Sequence, residues 1–325
     1  MYRYKSILVN LNDDQRDDLL IEYAEMIALL AQSGRVQFLH VTPEVPPLAD
    51  LYPDVLPFLH ATASARHEAL TAKVASRFVG PWHTAVHTDV VAGTPLPELL
   101  RVAREGTFDL VIVGADAEPG LAAKLARKAP CSVLAVPPTV PARIERVVVP
   151  VDFSAHALDA ADVAVAFAEA AGLDAVHFLH VYTVPTGYPS LRHPPLDLRA
   201  TLRTRAVRRL ETFIEALDLR GLTPELHLAE SPDVPGTILS EAAALGADLM
   251  MVGTRGRSPS AAILLGSVAE QVLRAAPVPV VAVKRKGATT RLLDVLLEQH
   301  VARAEDRPMA APSDLAHRLP AFERV

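Results

Sequence analysis

The sequence is poor in the residues that build several kinds of functional site. Its 325 residues include one cysteine, Cys131, which excludes an internal disulfide and a cluster of metal-binding thiolates. Cys131 lies in an apolar run, which favours a small core residue over a reactive thiol. The apolar runs fall well short of the roughly 20 residues that cross a membrane, and the first residues lack the long apolar segment of a signal peptide. We therefore expect a soluble, cytoplasmic protein with no membrane partner.

Common phosphate-binding and catalytic motifs are also missing. The sequence has no Walker A loop, no G-x-G-x-x-G dinucleotide motif and no G-x-S-x-G nucleophile elbow, which argues against the enzyme classes that those motifs mark. The formal net charge is −6. A mildly acidic chain is not expected to present a nucleic-acid surface over the whole protein.

Twelve histidines raise the question of a metal site. His177 and His180 are three residues apart on a predicted strand, so their side chains point to opposite faces and cannot share an ion. His83 and His87 are four residues apart, but no third ligand accompanies them. No metal site is predicted.

What the chain does contain is an internal repeat with an offset of about 140 residues. In the repeat Asn12 stands opposite Asp152, and His40 stands opposite His180. The three matching pairs of apolar segments are 6–13 with 146–153, 36–43 with 176–183, and 108–115 with 247–254. Three apolar segments in register, separated by helix-like stretches, indicate a duplication.

Each half alternates apolar strands with helices, the pattern of a parallel sheet covered by helices on both faces. We predict an α/β protein with two tandem, doubly wound, five-stranded Rossmann-like domains. The first covers residues 1–140 and the second 141–286, with Leu226–Ala229 as the third strand of the second domain. A short amphipathic helix and a loose tail are predicted for 287–325; that helix could dock on this protein or on a partner.

The glycines of the stretch from Asp248 to Lys284 are the most informative feature. An apolar run ends at Gly253, Gly256 follows after two residues, and Gly266 with Ser267 follows after nine more. A strand, a glycine loop and a helix start in that order can direct backbone N–H groups and the helix dipole at a phosphate. Because glycine has no Cβ, it would let a phosphate approach the backbone closely and would allow the positive φ values that such loops often need.

This glycine spacing resembles, residue for residue, the ATP loop of the nucleotide-binding universal stress proteins. The resemblance covers both halves, from about residue 4 to about residue 285, but the diagnostic loop occurs only in the second. The resemblance implies an adenine nucleotide alpha hydrolase-like fold. It also implies that Gly253, Gly256, Gly266 and Ser267 contact the phosphates of ATP, which is bound alone or with Mg²⁺. The family's adenosine-binding positions match Asp152 and Val181, and Pro150 fits its strand-end pattern.

Several of these residues have a structural alternative. Ser267 and Glu270 form S-x-x-E, a capping box that would begin a helix without any ligand. Asp152 or Ser154 could likewise cap the next helix. Arg255 and Arg257 could neutralise phosphate charge or could be solvated loop residues. A cluster of arginines, also interpreted as a solvated helix face, comprises Arg199, Arg203, Arg205, Arg208 and Arg209.

The first half is predicted to keep the fold without the nucleotide site. From Gly114 to Pro130 is 16 residues, against 24 from Gly253 to Pro277. Asn12 also replaces the aspartate.

Because proteins that this chain resembles pair through their last strands, Ser132–Val136 and Val278–Val283 could pair within one chain or across a homodimer.

The resemblance implies an ATP-binding regulator whose nucleotide state changes its interaction with an unknown protein partner. One alternative is a slow ATP hydrolase or nucleotidyl transferase on the same fold, although the loop offers no general base. Another is a nucleotide-free adaptor. The residue pattern leaves these alternatives open.

Overall fold

The computed structural model describes residues 3–43, 56–115, 120–185, 198–256 and 265–284. The predicted tail helix and Arg257 lie outside these ranges.

In the described part of the first half, five strands alternate with four helices. The strands are β1 (Ser6–Leu11), β2 (Arg35–Thr42), β3 (Ala85–Ala92), β4 (Leu110–Gly114) and β5 (Ser132–Val136). The helices are α1 (Asp17–Ala31), α2 (Leu56–Arg77), α3 (Pro95–Glu105) and α4 (Leu121–Lys128).

The second half repeats this order. Its strands are β6 (Val147–Pro150), β7 (Ala175–Tyr182), β8 (Thr223–Glu230), β9 (Leu249–Gly253) and β10 (Val280–Val283). Its helices are α5 (Ala155–Ala170), α6 (Leu198–Glu215), α7 (Val234–Ala244) and α8 (Ser267–Ala275).

All ten strands form a single sheet in the order β3-β2-β1-β4-β5-β10-β9-β6-β7-β8. Within each half every pair is parallel, as predicted. Strand order therefore reverses twice, between β1 and β4 and between β6 and β9. In open parallel sheets, these switch points are where the carboxyl ends of the strands leave a crevice for ligands.

The sheet is buried on both faces, which explains why its central strands read as continuous apolar runs. One core layer packs the sheet against α1, α2, α5 and α6. The other packs it against α3, α4, α7 and α8. The helices thus fix the two faces, and the loops at the strand ends remain available for a site.

The two halves join through an antiparallel pair between β5 and β10, with Leu134 opposite Val281. Tyr4 donates a hydrogen bond to the Ser132 hydroxyl (3.1 Å) beside this join, and burial raises the pKa of Tyr4 to about 12. Across the join, Arg127 and Glu270 form an ion pair of 2.6 Å. Of the two predicted arrangements of the last strands, the structure has the one within a single chain.

Candidate functional site

A cavity of about 1330 Å³ opens at the carboxyl ends of β6, β7 and β9. Its position is the switch point of the second half, where a ligand site is expected. All eight residues proposed from the sequence line it: Pro150, Asp152, Val181, Gly253, Arg255, Gly256, Gly266 and Ser267. Residues separated by more than 100 positions in the chain are thus brought to one crevice.

The loop between β6 and α5 presents Asp152 to the cavity. One carboxylate oxygen of Asp152 accepts a hydrogen bond from the Ser154 amide (2.9 Å). Ser154 is the N-cap of α5, because its hydroxyl accepts from the Ala157 amide (3.1 Å). Of the two capping candidates, Ser154 has that role, and Asp152 is left to line the cavity.

His180 anchors the same loop from the neighbouring strand. Its Nδ1 lies 2.7 Å from the carbonyl oxygen of Val151, and since a carbonyl only accepts, Nδ1 carries the proton. The His180 ring lies 4.3 Å from the Phe153 ring, centroid to centroid. Phe153 has φ of 64°, so this aromatic contact and the neighbouring hydrogen bonds hold a backbone conformation that phenylalanine rarely adopts.

Gly253 is glycine for a reason of packing. A Cβ at this position would lie 2.7 Å from both the carbonyl carbon and the carbonyl oxygen of His156. The end of β9 therefore meets the first turn of α5 at a distance that no side chain permits. The expectation that these loop glycines need positive φ is wrong for Gly253, Gly256 and Gly266, none of which has φ in that region.

Gly256 and Gly266 border the cavity at the two ends of the glycine loop. A Cβ on Gly256 would lie 2.9 Å from the second carboxylate oxygen of Asp152, so absence of a side chain leaves that carboxylate open to the cavity. The Gly266 amide donates to the Thr254 carbonyl (2.9 Å). This bond closes the loop and brings the start of α8 to the end of β9.

Among the described residues, no side chain caps the start of helix α8. Gly266 is its N-cap residue, and exposed Ser267 is its first helical residue. The Glu270 carboxylate instead contacts Arg127 (2.6 Å) and Arg274 (2.9 Å), so the alternative in which Ser267 and Glu270 form a capping box does not describe this helix start. An uncapped helix N-terminus offers amide donors and a positive dipole end to an anion.

Arginines dominate the charge of the cavity. Among the residues that the structure describes, four arginines, Arg205, Arg208, Arg209 and Arg255, line it together with one carboxylate, Asp152. This excess of basic side chains suits a polyanion. Three of the five arginines that the sequence pattern places on a solvated helix face thus border the cavity; Arg205 is also exposed, and Arg208 and Arg209 are partly buried.

Two histidines outside the cavity form a pair that the sequence did not reveal. His177 Nδ1 lies 3.0 Å from His227 Nε2 across β7 and β8. Burial, together with the neighbouring His227 and Arg146, lowers the pKa of His177 to about 4. Among the described residues no group of three or more His, Cys, Asp or Glu could hold a metal ion.

Comparison with known families gives two matches along this chain. The model of the universal stress protein family matches residues 3–137 and again residues 143–284. The chain belongs to the universal stress protein family. It carries two universal stress protein domains in tandem, and comparison with curated proteins gives no significant match.

Two solved structures are similar to this chain over most of its length. A universal stress protein from Archaeoglobus fulgidus has 20% identity and a TM-score of 0.61, and the alignment covers 87% of this chain and 99% of that one. A protein of Pseudomonas aeruginosa PAO1, titled functionally unknown, has 20% identity and a TM-score of 0.60 over 94% and 98%. A universal stress protein in complex with cAMP aligns over 42% and 99% at 17% identity and a TM-score of 0.31.

The two universal stress protein domains share their backbone at the strand ends. Asp13 has φ of 63°, matching Phe153 at the same repeat position. His40 Nδ1 lies 2.9 Å from the Leu11 carbonyl oxygen, as His180 does from Val151. The duplication therefore preserved this loop conformation in both domains.

The domains differ in what occupies this corner. In the first domain Lys73 of α2 reaches the fully buried carboxylate of Asp17 (3.0 Å) and the carbonyl of Asp14 (2.7 Å). The Asp17 carboxylate also accepts from the Asn12 amide (2.8 Å). At the position of Lys73 the second domain has Phe213, which packs on Phe153 at 6.1 Å. The contacts of Lys73 with Asp17 and Asp14, called the polar clamp below, thus take the place of the aromatic contact between Phe213 and Phe153 beside the cavity of the second domain.

The part of the chain that the structure describes has no helix long and apolar enough to span a bilayer.

Proposed function

We propose that the second domain binds ATP in this cavity and that nucleotide occupancy changes the protein's interaction with a protein partner. The adenosine part lies beside Asp152 and Val181, and the phosphates lie at Gly256, Gly266 and Ser267. The observation that carries the proposal is the start of α8, which no described side chain caps and which is hydrogen-bonded to the end of β9. The Asp152 carboxylate and the arginines that line the cavity lie beside it.

The residues present fit a polyphosphate on physical grounds. Gly266 leaves space, because a Cβ there would reach only van der Waals distance from Gly256 and Arg255, at 3.6 Å or more. The dipole and first amides of α8 favour negative charge at this point. Mg²⁺ would be held mainly by the phosphates, since Asp152 is the only carboxylate in the described lining.

Isothermal titration calorimetry with ATP tests the proposal on the full chain. We expect saturable binding with one ATP per chain, which also tests the prediction that the first domain lacks a nucleotide site. Gly266→Val should abolish it, because the branched side chain fills the space at the helix start. Gly34→Val is the matched control, since a Cβ on Gly34 meets nothing closer than 3.9 Å. Absence of saturable heat in the parent protein refutes the proposal, and two sites per chain refute the loss in the first domain.

The alternatives give different results. A hydrolase or transferase would release phosphate at ordinary enzyme rates of roughly 1–1000 per second, whereas we expect at most slow turnover. A nucleotide-free adaptor would leave no nucleotide in a denatured extract of the purified protein analysed by mass spectrometry. The cytoplasmic location, the partner protein and assembly into a homodimer remain predictions.

A further inference from the structure

We propose that Arg205, Arg208 and Arg209 form a second anion-binding position in the cavity. Its ligand is then an adenine nucleotide that carries one phosphate on the 2′ or 3′ oxygen of its ribose in addition to the 5′ phosphates. This inference rests on the proposed function, because it takes the adenosine to lie beside Asp152.

The three arginines lie on one side of α6. Positions 205, 208 and 209 are separated by three and four residues, the spacing that places side chains on the same helix face, and all three line the cavity. Arg203 shows the contrast, because it is not part of the cavity lining, although Arg203 and Arg205 are both exposed. The basic face of α6 is thus divided between the cavity and solvent.

This basic face and the glycine loop lie on opposite sides of the cavity. Helix α6 belongs to the core layer of α5, whereas α8 belongs to the other layer. Helix α6 also covers β7 and β8, while the glycine loop follows β9, on the other side of β6 in the sheet. Phosphates bound at the start of α8 would therefore not contact the three arginines of α6.

The α6 arginines are close to the place proposed for the ribose. The Arg209 guanidinium carbon lies 4.8 Å from the centre of the Phe153 ring, and Phe153 follows Asp152 directly. A phosphate on a ribose hydroxyl projects from the sugar away from the 5′ chain. Such a group is the ligand feature that would reach α6 while the 5′ phosphates occupy the glycine loop.

The arginines of α6 differ in their ion pairs. Neither Arg205 nor Arg208 has an ion pair within 4.0 Å among the residues that the structure describes, whereas Arg199 of the same helix pairs with Glu230 at 2.7 Å. Glu211, one turn beyond Arg208, is acidic but does not line the cavity. Neighbouring arginines suit a phosphate, because their N–H groups donate charge-assisted, bidentate hydrogen bonds to phosphate oxygens.

The experiment compares AMP with adenosine 3′,5′-bisphosphate and its 2′,5′ isomer by calorimetry at one ionic strength. At least one bisphosphate should bind roughly tenfold more tightly than AMP, the size of a charged hydrogen bond. The double variant Arg205→Gln/Arg208→Gln should lose this preference, so that its affinities for AMP and for the two bisphosphates lie within about threefold of one another. Arg203→Gln should keep the preference, because that side chain lies outside the cavity.

Each outcome has a defined meaning. Equal affinities for AMP and both bisphosphates in the parent protein overturn the inference, whatever the variants do. A preference that survives in the double variant, or disappears equally in Arg203→Gln, overturns it as well, because the cause would be general charge. If ATP binds and the bisphosphates show no preference, the inference fails alone; if no adenine nucleotide binds, the proposed function fails with it.

Discussion

Gly253 meets the backbone of His156 so closely that a Cβ would lie 2.7 Å from the histidine carbonyl. The end of β9 is therefore held against the first turn of α5, and the glycine loop starts from a fixed point. Ser154 adds to this, since its hydroxyl donates to the Arg255 carbonyl (3.3 Å). The loop after the first strand and the loop after the fourth strand form one connected unit.

Replacing Gly253 should therefore affect the fold as well as binding. We expect Gly253→Ala to lower the free energy of unfolding by about 1–3 kcal/mol, the cost of overpacking a tight contact. Urea unfolding measures this. Gly266→Ala is the control and should change stability by less than about 1 kcal/mol, because its Cβ finds ordinary contact distances. Equal effects of the two substitutions would contradict the packing role of Gly253.

Asp152→Asn should separate binding from folding. The asparagine oxygen can still accept from the Ser154 amide, so the turn before α5 should persist and the stability should be nearly unchanged. Loss of the carboxylate should weaken ATP binding about tenfold, because a charged hydrogen-bond acceptor for the adenosine is lost. Calorimetry and urea unfolding on the same sample check both halves of the prediction. An unchanged ATP affinity would remove Asp152 from the site.

The polar clamp of the first domain should contribute to stability without contributing to binding. Lys73→Gln leaves the fully buried carboxylate of Asp17 without its cation, and we expect a loss of about 2 kcal/mol because two backbone amides still bond to that carboxylate. Arg77→Gln, which breaks the more exposed pair with Asp18, should cost less than about 1 kcal/mol. ATP affinity should be unchanged in both. A weaker ATP affinity in Lys73→Gln would place a nucleotide in the first domain.

The pair of His177 and His227 should make stability depend on pH. Folding lowers the pKa of His177 from 6.5 to about 4, mainly through burial, and lowers that of His227 for the same first reason. Since folding favours the neutral rings, their contribution is fully present above pH 6.5 and is lost as the pH falls toward 4. Arg146 acts in the same direction on His177, whereas Glu225 opposes the shift.

The measurement is urea unfolding between pH 7 and pH 4. Over this range the free energy of unfolding of the parent protein should fall by about 1–2 kcal/mol more than that of His177→Gln. This difference is smaller than for a fully buried pair, because the two histidines are half-exposed. The same substitution at exposed His87 should leave the pH profile of the parent. Superimposable profiles for the parent and His177→Gln would show that the pair is not the cause.

Local pattern was sufficient to predict most of the architecture. Continuous apolar runs and the repeat offset predicted the strands, and all eight residues proposed from the glycine spacing and the family resemblance line one cavity. The third strand of the second domain is longer than predicted, Thr223–Glu230 instead of Leu226–Ala229. It is the edge of the sheet, where a proline such as Pro224 and charged residues are tolerated, so its pattern is weak.

Features that depend on tertiary contacts were not predictable in this way. One partner of Glu270 is Arg127, 143 residues earlier, and no local motif indicates this contact. The face of α6 that looks into the cavity is decided by how that helix docks on β7 and β8. The same applies to His177, whose partner lies on the next strand.

The most direct test of the central claim is an NMR titration of the ¹⁵N-labelled full chain with ATP. We predict saturable shifts of the amides of Gly256, Gly266 and Ser267, and no comparable shifts at Gly114 and Gly120 in the first domain. Shifts confined to the first domain, or none at the start of α8 at saturating ATP, would contradict a nucleotide site built on the second glycine loop.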